Sequence, residues 1–459
     1  MKVVVTGGSG QLGTLVLWNL IRDRRVREIR AFDVSPPLAV SPKLKWTAGD
    51  VRTADLDALC HGAEVVVHLA FIVLRRASRR EMYSVNVEGS RRVFDAAARA
   101  GARAIVYASS IAAYGVTPGQ PEPIVEDTPR QPSGILYYSD NKREVEDQLD
   151  AFEAAHPAVR VVRLRPGILI GRRMEHEFGN LLRRRWIVAS HATPLPIVWD
   201  EDVADVFARA VVDDGVRGAF NLCAEHQLDA AALGRAAGLH VLRVPEAALE
   251  AALGARGAAA KLFERRSDPD EAGDLEWLRA TRVRLLASSA RARAELGWRP
   301  RAATAREVIE LLCAEVPHRI DPRIVAYLRL MQRSSRRSAG ELAADGRQIR
   351  LRIHLDIRGP RGGDFVVEVR DGGVRVRRGI VRPPDAVVAL SDRALLEIIT
   401  GRTDLSTAQL TGRVQVWGDP SAGIVLGTRT TAVRAATERP GFEGFAAARL
   451  SRWFEGGLR

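Results

Sequence analysis

Cysteine is scarce: Cys60, Cys223 and Cys313 are the three in 459 residues, and no two lie close together. That spacing gives neither a disulfide framework nor a metal-binding pattern, and it suits a reducing compartment. Each is expected to be a small buried hydrophobe. No run approaches the roughly 18 uninterrupted apolar residues of a membrane span, so none is expected. The opening Met1-Lys2-Val3-Val4-Val5 breaks at glycine and is too short for the apolar centre of a signal peptide, which points to the cytoplasm. Lysine is also rare, with five among 69 basic residues.

The net charge of +13 is uneven. Residues 321–459 carry 24 basic and 15 acidic residues, net +9, against 45 and 41, net +4, in residues 1–320. This is either a compositional bias spread over solvated faces or a surface for an anionic partner such as lipid headgroups or acyl-CoA. Peripheral contact with an anionic membrane follows from the second reading. No nucleic-acid motif accompanies the charge, so that partner is not expected. The length calls for two or three domains.

Short β-branched runs at 2–6, 28–32, 64–69, 104–108 and 159–164 alternate with helical patterns at 12–22, 85–100 and 138–154. That alternation predicts a parallel sheet covered on both faces. Residues 167–316 are less regular, with helices expected at 201–212, 229–237, 288–296 and 305–315. Asp229 and Ser288 suit N-caps there. A helix at 322–333 leads into a polar linker at 334–340. Beyond it, strands at 348–357, 365–370, 374–378, 386–390 and 413–417 and a helix at 392–400 predict an α+β module. Its hairpin is centred on Asp371-Gly372-Gly373. The expected domains are 1–320 with a substrate lobe mainly at 167–316, a helix and linker at 321–344, and 345–459.

Thr6-Gly7-Gly8-Ser9-Gly10-Gln11-Leu12-Gly13 ends a strand and opens a helix, the context of a dinucleotide fingerprint. Gly7 permits the turn, Gly10 lets backbone approach a pyrophosphate, and Gly13 lets the helix pack on the strand. The helix N-terminus then offers unpaired N–H groups to phosphates. Asp33 follows 20 residues after Gly13 and can accept both ribose hydroxyls while repelling a 2′-phosphate, so NAD is favoured over NADP. Arg52 lies near enough in sequence to weaken that preference. In Tyr138-Ser139-Asp140-Asn141-Lys142, the phenol and the ammonium are four apart and share a helix face. A nearby positive charge lowers a phenol's pKa and makes Tyr138 a usable acid/base. Such spacing alone is common on solvated helices; its place in this fold gives it meaning. Ser109 and Ser110 close a strand where ligands bind. Ser110 is the first candidate to hold a substrate oxygen, Ser109 the second, and a plain strand cap the third reading.

Together these residues resemble the extended short-chain dehydrogenase/reductase family, which includes sugar-nucleotide epimerases, dehydratases and 3β-hydroxysteroid dehydrogenases. The resemblance spans about residues 1–315 and implies a Rossmann-type doubly wound parallel sheet (class α/β) with a smaller substrate lobe. It implies catalytic roles for Tyr138, Lys142 and Ser110. It implies cofactor contacts at Gly7, Ser9, Gly10, Gln11, Leu12, Gly13, Asp33, Asp50, Val51, Leu69, Ala70, Tyr138, Lys142 and Pro166. Asp200-Glu201-Asp202-Val203-Ala204, Asn221 and Leu296-Gly297-Trp298-Arg299-Pro300 match later family positions. Ile170-Gly171-Arg172 and Phe71 depart from the family pattern near the expected substrate. A homodimer through helices 85–100 and 138–154 is the family's usual assembly.

Residues 345–435 resemble a sterol-carrier-protein-2 (SCP2) type lipid-binding domain, through Asp371-Gly372-Gly373, Pro384-Asp385-Ala386-Val387-Val388 and residues 412–419. Such folds enclose an apolar cavity. The resulting expectation is a small-molecule enzyme acting on a secondary alcohol or ketone of a sterol, isoprenoid or other lipid. The alternatives are a nucleotide-sugar epimerase/dehydratase, its diphosphate met by Arg172, Arg173 or Arg183-Arg184-Arg185, and a non-catalytic NAD-sensing or lipid-carrier protein. No metal is expected.

Overall fold

The computed structural model describes residues 1–73, 77–173, 186–252, 255, 274–317, 320–337, 350–370 and 373–437. The chain divides into two compact units, Met1–Pro37 with Lys43–Leu312, and Leu38–Pro42 with Cys313–Arg459. Among the described residues no helix is long and apolar enough to cross a membrane.

The first unit is built on a seven-stranded sheet. Its strands are β1 (Lys2–Thr6), β2 (Glu28–Asp33), β3 (Leu44–Ala48), β4 (Val65–His68), β5 (Ala104–Ala108), β6 (Arg160–Pro166) and an edge strand, Gly218–Leu222. The order is Gly218–Leu222, β6, β5, β4, β1, β2, β3, and every pairing is parallel. β4, β5 and β6 are wholly buried, as helices on both faces require. The two outermost strands have no sequence run to announce them. β3 is exposed along most of its length, and Gly218–Leu222 opens on a glycine at φ 88° and carries Asn221.

Helix α1 (Gln11–Arg22) follows the glycine turn. The helix expected at 85–100 starts earlier, at Arg79–Tyr83, because the Ser78 side chain caps it by accepting from Glu81 N. It widens into a π-helical turn, Ser84–Glu88, before Gly89–Arg99. π-turns of this kind gather at functional sites. This one carries buried Asn86, whose Oδ1 accepts from Ile72 N and whose Nδ2 donates to Ile72 O and Asn141 Oδ1.

The helix Tyr137–Ala155 starts without a side-chain cap at Leu136, but the Ser133 hydroxyl accepts from Leu136 N at 3.0 Å. Tyr138, Lys142 and Glu146 are spaced four apart and share one face. Glu146 is fully buried and meets Arg165 of β6, 3% exposed, through Nε–Oε1 2.8 Å and Nη2–Oε2 2.5 Å. Ser109 donates to the same carboxylate, and Arg130 reaches it at 3.1 Å. Arg165 also donates to the Tyr114 hydroxyl, which donates on to Asn221 Oδ1. One polar network therefore ties the helix to β5, β6 and the edge strand. Burial alone would raise the Glu146 carboxyl; the hydrogen bonds and charge of Arg165, with Ser109 and Arg130, outweigh it and hold the pKa below its ordinary value.

In the substrate lobe, Asp200–Val212 and Ala305–Glu315 are helices, and Ala230–Ala236 is capped by Asp229. The cap expected at Ser288 is one residue off. Ser289 stands at the N-cap of Ala290–Leu296, but its hydroxyl is bonded to Cys223 N and O, so no side-chain cap forms. Asp202 accepts from Arg301 N and Ala302 N, and Trp298 donates to Asp202 O, which joins two family-like segments. Cys60 and Cys223 are buried, and Cys313 is half-buried.

The second unit has a five-stranded sheet in the order Gly373–Arg378, Gly363–Arg370, Leu351–Arg358, Ala386–Ser391, Val414–Gly418. Only the pairing of Leu351–Arg358 with Ala386–Ser391 is parallel. Asp371 and Gly372 at the hairpin tip lie outside the described residues. One face of the sheet, with Ile353, Leu355 and Val388, packs on the helices Asp392–Ile399, Leu405–Leu410 and Ser421–Thr437. Pro322–Arg337 joins the same core through Ile324, Leu328 and Met331. The linker expected at 334–340 is helical to Arg337, and 338–340 lie outside the described residues.

Replacing Glu146 by leucine leaves a buried guanidinium without its main counter-charge and should cost about 3–5 kcal/mol. Adding Arg165→Met to that variant should recover part of the loss. Because the folded pKa of Glu146 lies below its unfolded value, the pair's contribution is full above the ordinary glutamate range. It is lost as pH falls through the folded value. Scanning calorimetry of the full chain, with the single and double variants compared, checks both statements.

Candidate active site

Five chain segments meet at the carboxyl ends of the parallel strands, where ligands bind in open α/β sheets. The first is the glycine turn. Gly7 has φ 72°, and a Cβ there would fall 2.5 Å from Ala70 N. A Cβ on Gly13 would fall 2.1 Å from Gly7 O, so the helix packs against the turn with no room for a side chain. Gly10 differs: a Cβ there meets nothing nearer than Gly7 O at 3.5 Å. The turn is closed toward the protein and open at Gly10, which fits a pyrophosphate lying on the α1 N-terminus. The Gln11 side chain donates to Asp200 Oδ2 at 2.7 Å. Leu12 is half-buried.

Asp33, at the end of β2, accepts from Ser9 N at 2.9 Å through Oδ2, and its Oδ1 takes no hydrogen bond among the described residues. The carboxylate thus shapes the turn and keeps an acceptor for a ribose hydroxyl. Arg52 is held by Asp50 through Nη2–Oδ2 2.7 Å, and the Arg52 hydrogen bond keeps the Asp50 carboxyl below its usual range. Val51 is buried, and its carbonyl accepts from Arg92.

The second segment follows β4. Leu69 N donates to Thr6 O at 3.1 Å, and Ala70 N to Thr6 Oγ1 at 3.4 Å, which sets both backbones against Gly7. His68, just before them, bridges Thr6 Oγ1 and Ser90 Oγ; burial pushes its pKa down to about 3, so it is neutral. Phe71 comes next. Its ring lies 5.6 Å from that of Tyr138, edge to face, and 3.4 Å beneath the Lys142 ammonium.

The remaining segments are the end of β5, the start of Tyr137–Ala155 and the end of β6. Ser109 is committed to Glu146. Ser110 Oγ accepts from Ala112 N and lies 3.4 Å from Pro166 O, and Ser110 pulls the Tyr138 pKa down. Lys142 donates to Ala108 O at 2.6 Å and Tyr107 Oη at 3.3 Å. The expectation that Lys142 lowers the phenol's pKa is not met. Burial against its neighbours pushes Tyr138, half-buried in the structure, up to about 12, against the pull of Ser110. Burial likewise takes Lys142 well below its ordinary range, against the pull of Glu146.

Tyr138 packs on an apolar cluster that includes Ile111, Ala112, Leu136, Val283 and Leu285. Gly171 is fixed by Asp200, whose carboxylate would lie about 2 Å from any Cβ there. Arg183-Arg184-Arg185 lie outside the described residues, and Arg172 and Arg173 are half-buried. Among the described residues no His, Cys, Asp and Glu cluster can hold a metal. Sequence reasoning missed Glu146, Asn86 and Trp277. Glu146 alone had a signal, being four residues beyond Lys142.

The second unit carries a groove of about 500 Å³ lined by Ile320, Pro322, Val325, Ala326, Arg329 and Arg378.

Comparisons with known proteins agree with this layout. Residues 3–223 match the NAD dependent epimerase/dehydratase family and residues 331–428 the SCP-2 sterol transfer family. A 3-beta-hydroxysteroid dehydrogenase of Mycolicibacterium neoaurum is 33% identical over 118 residues, covering 24% of this chain and 32% of the relative. Human 3 beta-hydroxysteroid dehydrogenase type 7 is 39% identical over 129 residues, covering 26% and 35%. UDP-glucose 4-epimerase 3 of Oryza sativa is 30% identical over 199 residues, covering 39% and 52%. The chain thus spans about a third to a half of the length of these relatives. In fold, it resembles MoeE5 in complex with UDP-glucuronic acid and NAD, with a TM-score of 0.53, 20% identity, and 68% of this chain and 97% of that one covered. It also resembles a short-chain dehydrogenase/reductase superfamily protein from Agrobacterium tumefaciens with bound NAD, with a TM-score of 0.51, 23% identity, and coverage of 68% and 96%. Residues 3–223 are accordingly a domain of the NAD dependent epimerase/dehydratase family, joined in one chain to a domain of the SCP-2 sterol transfer family at residues 331–428.

Proposed function

We propose that the chain is an NAD-dependent oxidoreductase interconverting a secondary alcohol and its ketone on an apolar, sterol-like molecule. The observation that carries this reading is the meeting of Tyr138, Ser110 and Lys142 beside the glycine turn, with apolar residues packed against the phenol. Gly7, Ser9, Gly10, Asp33, Leu69 and Ala70 would hold the dinucleotide, and Lys142 would reach its nicotinamide ribose. When bound, an oxidised nicotinamide would supply a hydride acceptor for the carbinol carbon. Tyr138, as its phenolate, takes the hydroxyl proton and then releases it to solvent to restore the base; in the reverse direction the neutral phenol donates its proton to the carbonyl oxygen. Ser110 holds that oxygen, and enclosure strengthens both hydrogen bonds. The hydroxysteroid dehydrogenase relatives and the apolar cluster against which Tyr138 packs favour this over an epimerase of nucleotide sugars. The SCP-2 family match and the apolar groove edged by Arg329 and Arg378 support a lipid ligand in the second unit as well.

Tyr138→Phe should abolish interconversion of a 3β-hydroxysterol and its ketone while NAD still binds by calorimetry; normal turnover in that variant would refute the assignment. With the Tyr138 pKa raised to about 12, the phenol stays protonated at neutral pH. Oxidation should therefore accelerate steadily from pH 7 to pH 10, while ketone reduction does not, and initial rates in both directions test this. Asp33→Asn removes a charge that repels a 2′-phosphate. The preference for NAD over NADP should fall at least about tenfold in titrations of the two nucleotides.

A further inference from the structure

The helix Asp274–Ala280 is far from the Tyr138 helix in sequence but lies against it in space. Its Trp277 ring stands 5.5 Å from that of Tyr138, tilted by 39°. Phe71 meets the same phenol ring edge-on at an interplanar angle of 86°. The phenol thus lies between two aromatic rings, one from the end of β4 and one from the lobe. Trp277 continues into the apolar cluster with Val283 and Leu285.

The helix is fixed in place by its neighbouring residue. Glu276 Oε1 accepts from Arg79 Nη2 at 2.6 Å, and Glu276 Oε2 lies 3.4 Å from Tyr137 N. That second contact reaches the first residue of the Tyr137–Ala155 helix, whose amide lacks an intrahelical partner. One carboxylate therefore joins the lobe helix to both the Arg79–Tyr83 helix and the helix bearing Tyr138.

From this geometry we infer that Trp277 is a specificity-determining residue that selects a flat, rigid, fused-ring alcohol over bent or acyclic ones. A planar apolar molecule whose hydroxyl reaches Tyr138 and Ser110 can lay its ring system along the indole face, with no ordering cost in its own skeleton. An acyclic alcohol loses chain freedom to make the same contact. A bent ring system touches the indole only at an edge. A nucleotide sugar brings hydroxyls and a diphosphate that the indole and its apolar neighbours leave without partners.

This inference rests on the proposed oxidoreductase reading, and one experiment separates the two. Full-length protein is assayed with NAD and three alcohols: a flat trans-fused 3β-hydroxysteroid, its bent cis-fused isomer, and an acyclic secondary alcohol of similar carbon number. Binding of a UDP-sugar is measured alongside by calorimetry. The wild type should prefer the flat steroid in kcat/KM over both other alcohols, and Trp277→Leu should reduce that preference about tenfold, chiefly through KM. Trp277→Phe, which keeps a ring, should retain most of it. NAD affinity measured on each variant reports whether it has folded; should Trp277→Leu not fold, the flat-to-bent ratio of the wild type and of Trp277→Phe still decides. Equal kcat/KM for flat and bent steroids, or an unchanged preference in a folded Trp277→Leu, overturns the role of Trp277 and leaves the oxidoreductase reading standing. Tight UDP-sugar binding with no turnover of any of the three alcohols overturns that reading itself.

Discussion

The buried ion pair between Glu146 and Arg165 sets the geometry on which the candidate site depends. A helix that touches a sheet through apolar side chains alone can rotate or slide at small cost, since such contacts have little directionality. A carboxylate fully removed from water and gripped by a guanidinium fork cannot. Its partners limit it further: Ser109 is on the segment that carries Ser110, Tyr114 closes the short helix after that segment, and Asn221 is on the edge strand. Lys142 and Tyr138 lie one and two turns before Glu146 on the same face, so their direction is settled by a contact neither of them makes. Desolvating this pair is expensive, and its return is orientation more than stability.

The same dryness shapes the chemistry. Lys142 has three N–H donors, and the structure supplies the Ala108 carbonyl, the Tyr107 hydroxyl and the face of Phe71. A ribose hydroxyl would have to take the place of the aromatic face. The phenol of Tyr138 packs against Phe71, Trp277 and aliphatic side chains, and this burial favours its neutral form.

Much of this was legible in the residues themselves. Buried parallel strands favour apolar runs, and β1, β4 and β5 have them, whereas β6 is broken by Arg160, Arg163 and Arg165. Gly7, Gly13 and Asp33 could be placed because their chemistry is local: a turn, a close approach, a strand-end carboxylate. Where the reading failed, the deciding contacts were distant in sequence. β3 and Gly218–Leu222 are held as strands by a neighbour's hydrogen bonds, not by their own side chains. Ser289 stands at the N-cap position without capping, because Cys223, 66 residues earlier, claims its hydroxyl. The phenol's pKa went the other way from expectation because burial, invisible in a Tyr-x-x-x-Lys spacing, outweighs any charge nearby. Trp277 had no sequence signal at all.

The division of labour along the chain has an evolutionary consequence. Every segment of the glycine cradle, from Gly7 to Ala70, comes before Ser110 in the chain, while Trp277, Val283 and Leu285 come from the far end of the unit. The phenol of Tyr138 meets Phe71 from the early part and Trp277 from the late part. Mutations can therefore accumulate in the late segment, exchanging one indole for another shape, without disturbing the turn that the early segment builds. A gene with this order can change what it acts on while inheriting its nucleotide grip intact.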